Sequence, residues 1–202
     1  MLDLRALPHP LWVLGTDTGV GKTHVAARIA QAWAVAGPVA YRKPFQTGVE
    51  GPLDEGADAT RVAGAGIRPE TWATLRAPLA PLAAAQAEDR ILDLAAASAW
   101  CQRPAEGSVL LEGVGGLMVP LAPQVHFLAW ATDLKIPCVL VARGGLGTLN
   151  HTLLSAEALM LRGWRVAAVL LNPGVDGTPP ATAEANARLL RGFLPVPVEV
   201  LD

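Results

Sequence analysis

The chain has 202 residues, with 16 Lys and Arg against 18 Asp and Glu, a formal net charge of −2 and a pI near 6.1. That balance, with basic residues scattered rather than blocked, offers no general attraction to nucleic acid or anionic lipid. The length suits one domain, 1–202, with a substantial core, and no apolar run approaches the ~18 residues of a membrane span.

The N-terminal MLDLRALPHP lacks the basic and apolar regions of a signal peptide, so the expected location is the cytoplasm. Cys101 and Cys138 are too few and too far apart for a zinc cluster and are expected as reduced, partly buried, small apolar residues. Apolar runs at 11–15, 39–41, 108–112, 137–142 and 166–172 predict strands, and their continuous hydrophobicity predicts burial on both faces. Helical stretches are predicted at about 22–36, 58–64, 83–102, 125–133, 148–162 and 180–192. The alternation predicts an α/β fold, a mainly parallel sheet with helices on both faces and ligand sites at the carboxyl ends of the strands. The longest irregular stretch is expected at 43–57, and a loop of that length is more often functional than idle.

The first strand feeds GTDTGVGKT, residues 15–23. The usual phosphate-binding loop has four residues between its first Gly and the Gly-Lys-Ser/Thr ending. Here five separate Gly15 from Gly21, and Thr16 holds the first-Gly position. The context is nevertheless that of a P-loop, because a strand precedes it and a helix follows. Backbone N–H groups from Thr18 through Gly19, Val20, Gly21 and Lys22 to Thr23 can form an anion-binding concavity at the positive end of a helix dipole. Lys22 is then the candidate for the terminal phosphates, and the Thr23 hydroxyl for a hard cation such as Mg²⁺. Asp17 has the local role of capping or bracing the loop.

Only three lysines, Lys22, Lys43 and Lys135, stand among thirteen arginines, so a retained lysine points to a need for a compact ammonium group. Lys135 fits a solvated surface. Lys43, in YRKPFQTG after the second strand, comes near Lys22 if the two strands neighbour each other, making a positive pocket suited to a transferring phosphoryl group. Pro44 stiffens the strand exit. Glu112 ends a strand in LLEGVGG, the position for an acid that binds Mg²⁺; Asp58, at a helix start, is either an N-cap or a further member of that cation site. Gly113, Gly115 and Gly116 leave backbone open to a ligand.

ARGGLGTLNH places a Gly-rich turn, with Gly145, Gly147 and Asn150, between a strand and a helix. It is either a carboxylate site or a permissive loop braced by Asn150. Asn172 ends VAAVLLN and either offers its amide to a nucleobase or serves as a strand-end turn residue. His24, His126 and His151 show no metal spacing and no triad partner, so structural or solvated roles are expected.

Taken together, GTDTGVGKT, YRKPFQTG, LLEGVGGLMVPL and GLGTLNH stand in the order and approximate spacing of dethiobiotin synthetase, and the resemblance spans nearly the whole chain. It implies a P-loop NTPase-like parallel-sheet fold and a homodimer. It also implies ATP- and Mg²⁺-dependent closure of a cyclic urea from 7,8-diaminononanoate and carbon dioxide, through a carbamate and a carbamic-phosphoric anhydride. By the same resemblance, Lys22 and Thr23 bind triphosphate and Mg²⁺, and Asp58 and Glu112 complete the metal environment. Lys43, Thr18 and Thr47 hold the carbamate, the segment from Gly145 to Asn150 binds the substrate carboxylate from the partner subunit, and Asn172 contacts the base.

The chain departs from the resemblance at Gly19, where some members have an acid, and at Leu82, where a His often stands. It also stops at PVPVEVLD, shortly after its last apparent strand, where relatives often continue beside the base. The rival reading is a nucleotide-switch ATPase of the partitioning or iron-protein type, which usually carries an extra Lys early in the loop, where Thr16 stands here. Amide-forming synthetases of cobyrinate metabolism are a second rival, but the chain has no room for their glutaminase domain. A non-catalytic nucleotide-binding scaffold is a third, and it would leave Lys43 without a purpose.

Overall fold

In the computed structural model, which describes residues 2–51 and 54–201, the apolar runs become the centre of one sheet. Its strands are β1 (Leu11–Gly15), β2 (Val39–Thr47), β3 (Ile67–Leu75), β4 (Ser108–Glu112), β7 (Cys138–Arg143), β8 (Val166–Asn172) and β9 (Val198–Val200). Every pairing in the sheet is parallel, in the order β3-β2-β4-β1-β7-β8-β9. A separate antiparallel pair, β5 (Pro120–Ala122) and β6 (Val125–His126), follows the fourth strand. The helices are α1 (Lys22–Ala34), α2 (Asp58–Val62), α3 (Pro81–Ala87), α4 (Leu94–Gln102), α5 (Phe127–Thr132), α6 (Thr148–Met160) and α7 (Pro180–Phe193).

Alternate residues of the central strands feed two cores, one on each face. Leu11, Val13, Tyr41, Leu110, Val139 and Val141 pack with Val25, Ile29 and Val62 of α1 and α2. Trp12, Leu14, Leu111, Leu140 and Leu171 pack on the other face with residues of α3 to α7, including Ala84, Ala97, Phe127, Ala156 and Leu190. This two-sided burial is why the strands read as unbroken apolar runs.

Four expectations need correction. The second strand does not stop at 41 but continues to Thr47. It pairs with β4 only as far as Arg42 and with β3 all the way to Thr47. Pro44 therefore sits in a strand whose β4 side is already unpaired, where its missing N–H costs no ladder bond. The expected irregular stretch is accordingly shorter, and its Pro52 lies outside the described residues. The stretch at 83–102 is two helices, because Asp89 takes a left-handed φ of 50° and Asp93 caps a new helix by accepting from Ala96 N at 2.9 Å. Finally, β3, β9 and the β5–β6 pair went unpredicted. β3 is an edge strand with exposed Arg68 and Pro69 near its start, so it carries neither a continuous apolar run nor clean alternation.

Around Trp12 the core is built from edge-to-face aromatic contacts: Phe127 lies 5.4 Å from Trp12 and 5.7 Å from Trp130, ring centre to ring centre. Phe127 is fully buried. Phe127→Ala is expected to lower unfolding free energy by about 3–5 kcal/mol, read from urea denaturation midpoints at constant m-value.

Candidate active site

The P-loop begins with the chain still tied to the sheet, since Thr16 N donates to Val141 O at 2.9 Å. Asp17 then braces the turn. Its Oδ1 accepts from Thr18 N at 2.7 Å, and its Oδ2 pairs with Arg143 at 3.2 Å. Gly21 ends the turn at φ 91°, as the N-cap of α1. A Cβ at Gly21 would stand 2.1 Å from Asn172 Nδ2. Asn172 is buried and donates from that nitrogen to Val20 O at 3.2 Å. Its amide thus holds the back of the loop, a contact the sequence did not indicate.

Lys22 and Thr23 open α1 and face the carboxyl ends of the strands. Although charged, Lys22 is buried; its Nζ donates to Asp17 O at 3.0 Å and to Gly115 O at 2.8 Å. Burial and then the positive charge of Lys43 push its pKa down to about 8, against the opposing pull of Glu112, Asp58 and Asp17. Thr23 Oγ1 lies 2.9 Å from Asp58 Oδ1 and 3.0 Å from Glu112 Oε1.

Lys43 joins the same two acids. Its Nζ is 2.6 Å from Glu112 Oε1 and 2.7 Å from Asp58 Oδ2, and it also donates to Gly113 O at 3.1 Å. Burial opposes the charge on Lys43, but the two carboxylates outweigh it and its pKa lies above the ordinary value. Burial likewise opposes ionisation of Asp58, and Lys43 and Thr23 overcome it, so the Asp58 pKa lies below the ordinary range. Asp58 is not the N-cap of α2. Ala57 takes that place, and the Asp58 side chain is turned towards Thr23 and Lys43.

Two supporting residues had no signal in the sequence. Tyr41 Oη donates to Glu112 Oε2 at 2.8 Å, and burial followed by the charges of Glu112 and Asp58 raises the phenol pKa well above its usual value. Gln46 Oε1 accepts from Asp58 N at 3.1 Å, which anchors the start of α2. A core aromatic in a strand, and a polar residue read as part of a loop, carry no functional signature of their own. Of the glycines after Glu112, Gly113 is buried, whereas Gly115 and Gly116 are half-buried and line the two cavities. Gly113 and Gly115 carbonyls receive the two lysines, and a Cβ at Gly113 would stand 2.9 Å from Leu14.

Thr18, Gly19, Gly21, Lys22, Thr23, Lys43, Thr47, Asp58 and Glu112 all line one cavity of about 990 Å³, to which Leu79, Ala80 and Pro81 also contribute. Val20 and Asn172 lie behind the loop rather than in the lining. Gly145, Gly147 and Asn150 are not in this lining either. Gly145 N donates to Asp176 Oδ2 at 3.1 Å, Gly147 caps α6 at φ 88°, and Asn150 is exposed on the first turn of that helix. A second cavity of about 670 Å³ lies between Thr16–Thr18, Gly116–Pro120 and the Leu154, Ala158 and Leu161 side of α6. Of the histidines, His126 caps α5 by accepting from Ala129 N at 3.1 Å, and His24 and His151 are exposed.

Comparison with known proteins gives the family of the chain. Residues 9–199 match the model of the AAA domain family. The ATP-dependent dethiobiotin synthetase of Anaeromyxobacter dehalogenans strain 2CP-C is 44% identical over 190 residues, covering 89% of this chain and 84% of that protein. The chain belongs to the ATP-dependent dethiobiotin synthetase family. The dethiobiotin synthetase of Methylobacterium nodulans is 39% identical, with 88% of each chain covered. Among solved structures, a nucleotide-binding protein from Archaeoglobus fulgidus in complex with ADP is similar in fold, with a TM-score of 0.50 at 16% identity, covering 94% of this chain and 79% of that one. The fold is thus P-loop NTPase-like, as the deviant loop suggested.

Because of Asn172, a dethiobiotin synthetase with this loop has no space for a side chain at Gly21. Gly21→Ala is expected to weaken ADP binding by at least ~10-fold in titration calorimetry while the far-ultraviolet circular dichroism stays native, since the strain is local to the loop.

Proposed function

We propose that the protein closes the ureido ring of dethiobiotin from 7,8-diaminononanoate, carbon dioxide and Mg-ATP, in biotin synthesis. The observation that carries this reading is the convergence of two buried lysines, Lys22 and Lys43, on one cavity that also holds Thr23, Asp58 and Glu112. A simple nucleotide cradle needs only the first lysine. The second suits a group that gains a phosphoryl and then loses it.

Three steps follow in this reading. The substrate amine attacks carbon dioxide and loses a proton to give a carbamate. A carbamate oxygen then attacks the γ-phosphorus of ATP, and ADP leaves. The neighbouring amine finally attacks the anhydride carbon, the C–O bond to phosphate breaks, and the nitrogen gives up a proton to the departing phosphate as the ring closes. Lys22 steadies the triphosphate from the P-loop side. Lys43 steadies the carbamate oxygens, and the Thr18 and Thr47 hydroxyls orient them. Holding the reacting groups in line supplies most of the catalysis expected of phosphoryl transfer.

The oxygen set of Thr23, Asp58 and Glu112 fits Mg²⁺, which binds one or two carboxylates together with substrate phosphates. Among the described residues no cluster of three or more His, Cys, Asp or Glu side chains could hold a metal, which favours an ion shared with the phosphates over an all-protein cage. Such an ion would neutralise charge on the transferring oxygens. The proposed homodimer would bring residues Gly145 to Asn150 of a partner to the substrate carboxylate. It is supported by the position of that segment outside its own chain's cavity and by the exposure of Leu146 before α6, Leu154 within it and Leu161 just after it. Asn172 is the proposed base contact. No described helix is long and apolar enough to cross a membrane, and the proposed site is cytoplasmic.

Purified protein supplied with diaminononanoate, bicarbonate and Mg-ATP is expected to form dethiobiotin and ADP in equal amounts. Product no higher than in an enzyme-free control would reject the proposal. Lys43→Arg is expected to lower kcat by on the order of 10²-fold with ADP affinity changed far less, because a planar guanidinium cannot take the place of a compact ammonium between two carboxylates. Unchanged turnover would remove Lys43 from the reacting group.

A further inference from the structure

The two oxygens of Glu112 have different surroundings. Oε1 faces the cavity, where it accepts from Lys43 Nζ at 2.6 Å and from Thr23 Oγ1 at 3.0 Å. Oε2 accepts from Tyr41 Oη at 2.8 Å. Both side chains are at 0% exposure, and Tyr41 does not line the cavity. The sheet register explains the reach. Tyr41 stands opposite Leu110, two positions before Glu112, so the phenol ring runs along β4 from the core face to the acid at the strand end.

We propose that Tyr41 is a positioning residue, whose hydroxyl sets the rotation of the Glu112 carboxylate so that Oε1 is presented to Thr23, Lys43 and the divalent cation. This rests on the reading of Thr23, Asp58 and Glu112 as the cation site. A carboxylate turns about its last bond at little cost, so Lys43 and Thr23, both joined to the same oxygen, leave the second oxygen undirected. A phenol donating to an ionised carboxylate makes a short, charge-assisted bond, and a rigid ring packed in a strand core cannot follow the acid if it turns. Tyr41 is also placed to make this bond without competing for the cation, because it approaches from the side away from the cavity. Outer partners that orient a ligating group in this way affect metal affinity strongly when removed.

The test uses Tyr41→Phe, which keeps the ring and deletes the donor. The dissociation constant of Mn²⁺ for the enzyme–ADP complex, measured by electron paramagnetic resonance, is expected to rise by about 10-fold or more, and to change less than ~2-fold when the same substitution is made in Glu112→Gln. A tyrosine that only fills the core would lower the melting temperature and leave Mn²⁺ affinity as it was; that outcome overturns the positioning role. The chain contains one tyrosine. Wild-type protein labelled with ¹³C at the tyrosine ζ carbon therefore gives a single resonance and needs no substitution to fold. It is expected to shift when Mg²⁺ and ADP are added together, and to stay still in Glu112→Gln. No shift in the wild type also overturns the role. If Glu112→Gln alone leaves Mn²⁺ affinity unchanged, the cation site itself is wrongly assigned and the role of Tyr41 falls with it.

Discussion

Glu112 is a carboxylate with no exposure to solvent, at the carboxyl end of a central strand. Taking such a charge out of water costs several kcal/mol even after relaxation, so it persists only where its lone pairs are filled and an opposite charge is close. Three elements converge on it. β2 sends Lys43 and Tyr41, α1 sends Thr23, and α2 sends Asp58, which shares Lys43 and Thr23 with it. Losing Lys43 leaves two carboxylates, one of them fully buried, without their contacting cation, so the requirements of the site and those of the fold at this point coincide. The cluster also ties α2, a short helix whose Ala59 and Val62 are buried in the core, to the centre of the sheet.

The topology explains why these groups meet at all. β1 lies between β4 and β7, and the chain leaving β1 crosses to β2 on the far side of β4, whereas the chain after β4 returns to β7 on the other side of β1. Connections that diverge in this way open a crevice beyond the carboxyl ends of the strands. The P-loop and the Glu112–Gly116 strip line it together, and Lys22 closes the gap between them through Asp17 O and Gly115 O. With two ammonium groups and two carboxylates, the cluster is close to neutral. On the proposed reading, an arriving triphosphate brings charge that these residues cannot balance alone, which is the physical need for a divalent cation beside Thr23.

What could be read from the sequence follows from where each residue stands. Lys22, Thr23 and Glu112 stood out because strand ends and helix starts in a parallel sheet are ligand positions, whereas Lys43 was placed at a strand exit and in fact lies within β2, just past the point where pairing with β4 stops at Arg42. Asp58 was ambiguous for the same cause, since an acid at a helix start also caps; only three-dimensional contact with Thr23 and Lys43 separates the two roles. Tyr41 was hidden because a buried aromatic in β2 looks like core, and its ring does pack there. β3 was hidden because an edge strand need not be apolar on both faces. The division of 83–102 into two helices turned on Asp93, whose capping role is visible only once Asp89 has broken the first helix.

Asn172 shows how a residue can carry two demands. A primary amide offers two N–H groups and one carbonyl oxygen. One N–H is committed to Val20 O, so at most one N–H and the oxygen remain to read a base. The same bond joins the end of β8 to the turn that Gly21 makes, so the piece of backbone cradling phosphate and the side chain proposed to meet the base are mechanically one unit. If Asn172 meets the base as proposed, base selectivity would be a property of the loop and β8 together, and Gly21 would belong to it as much as Asn172 does.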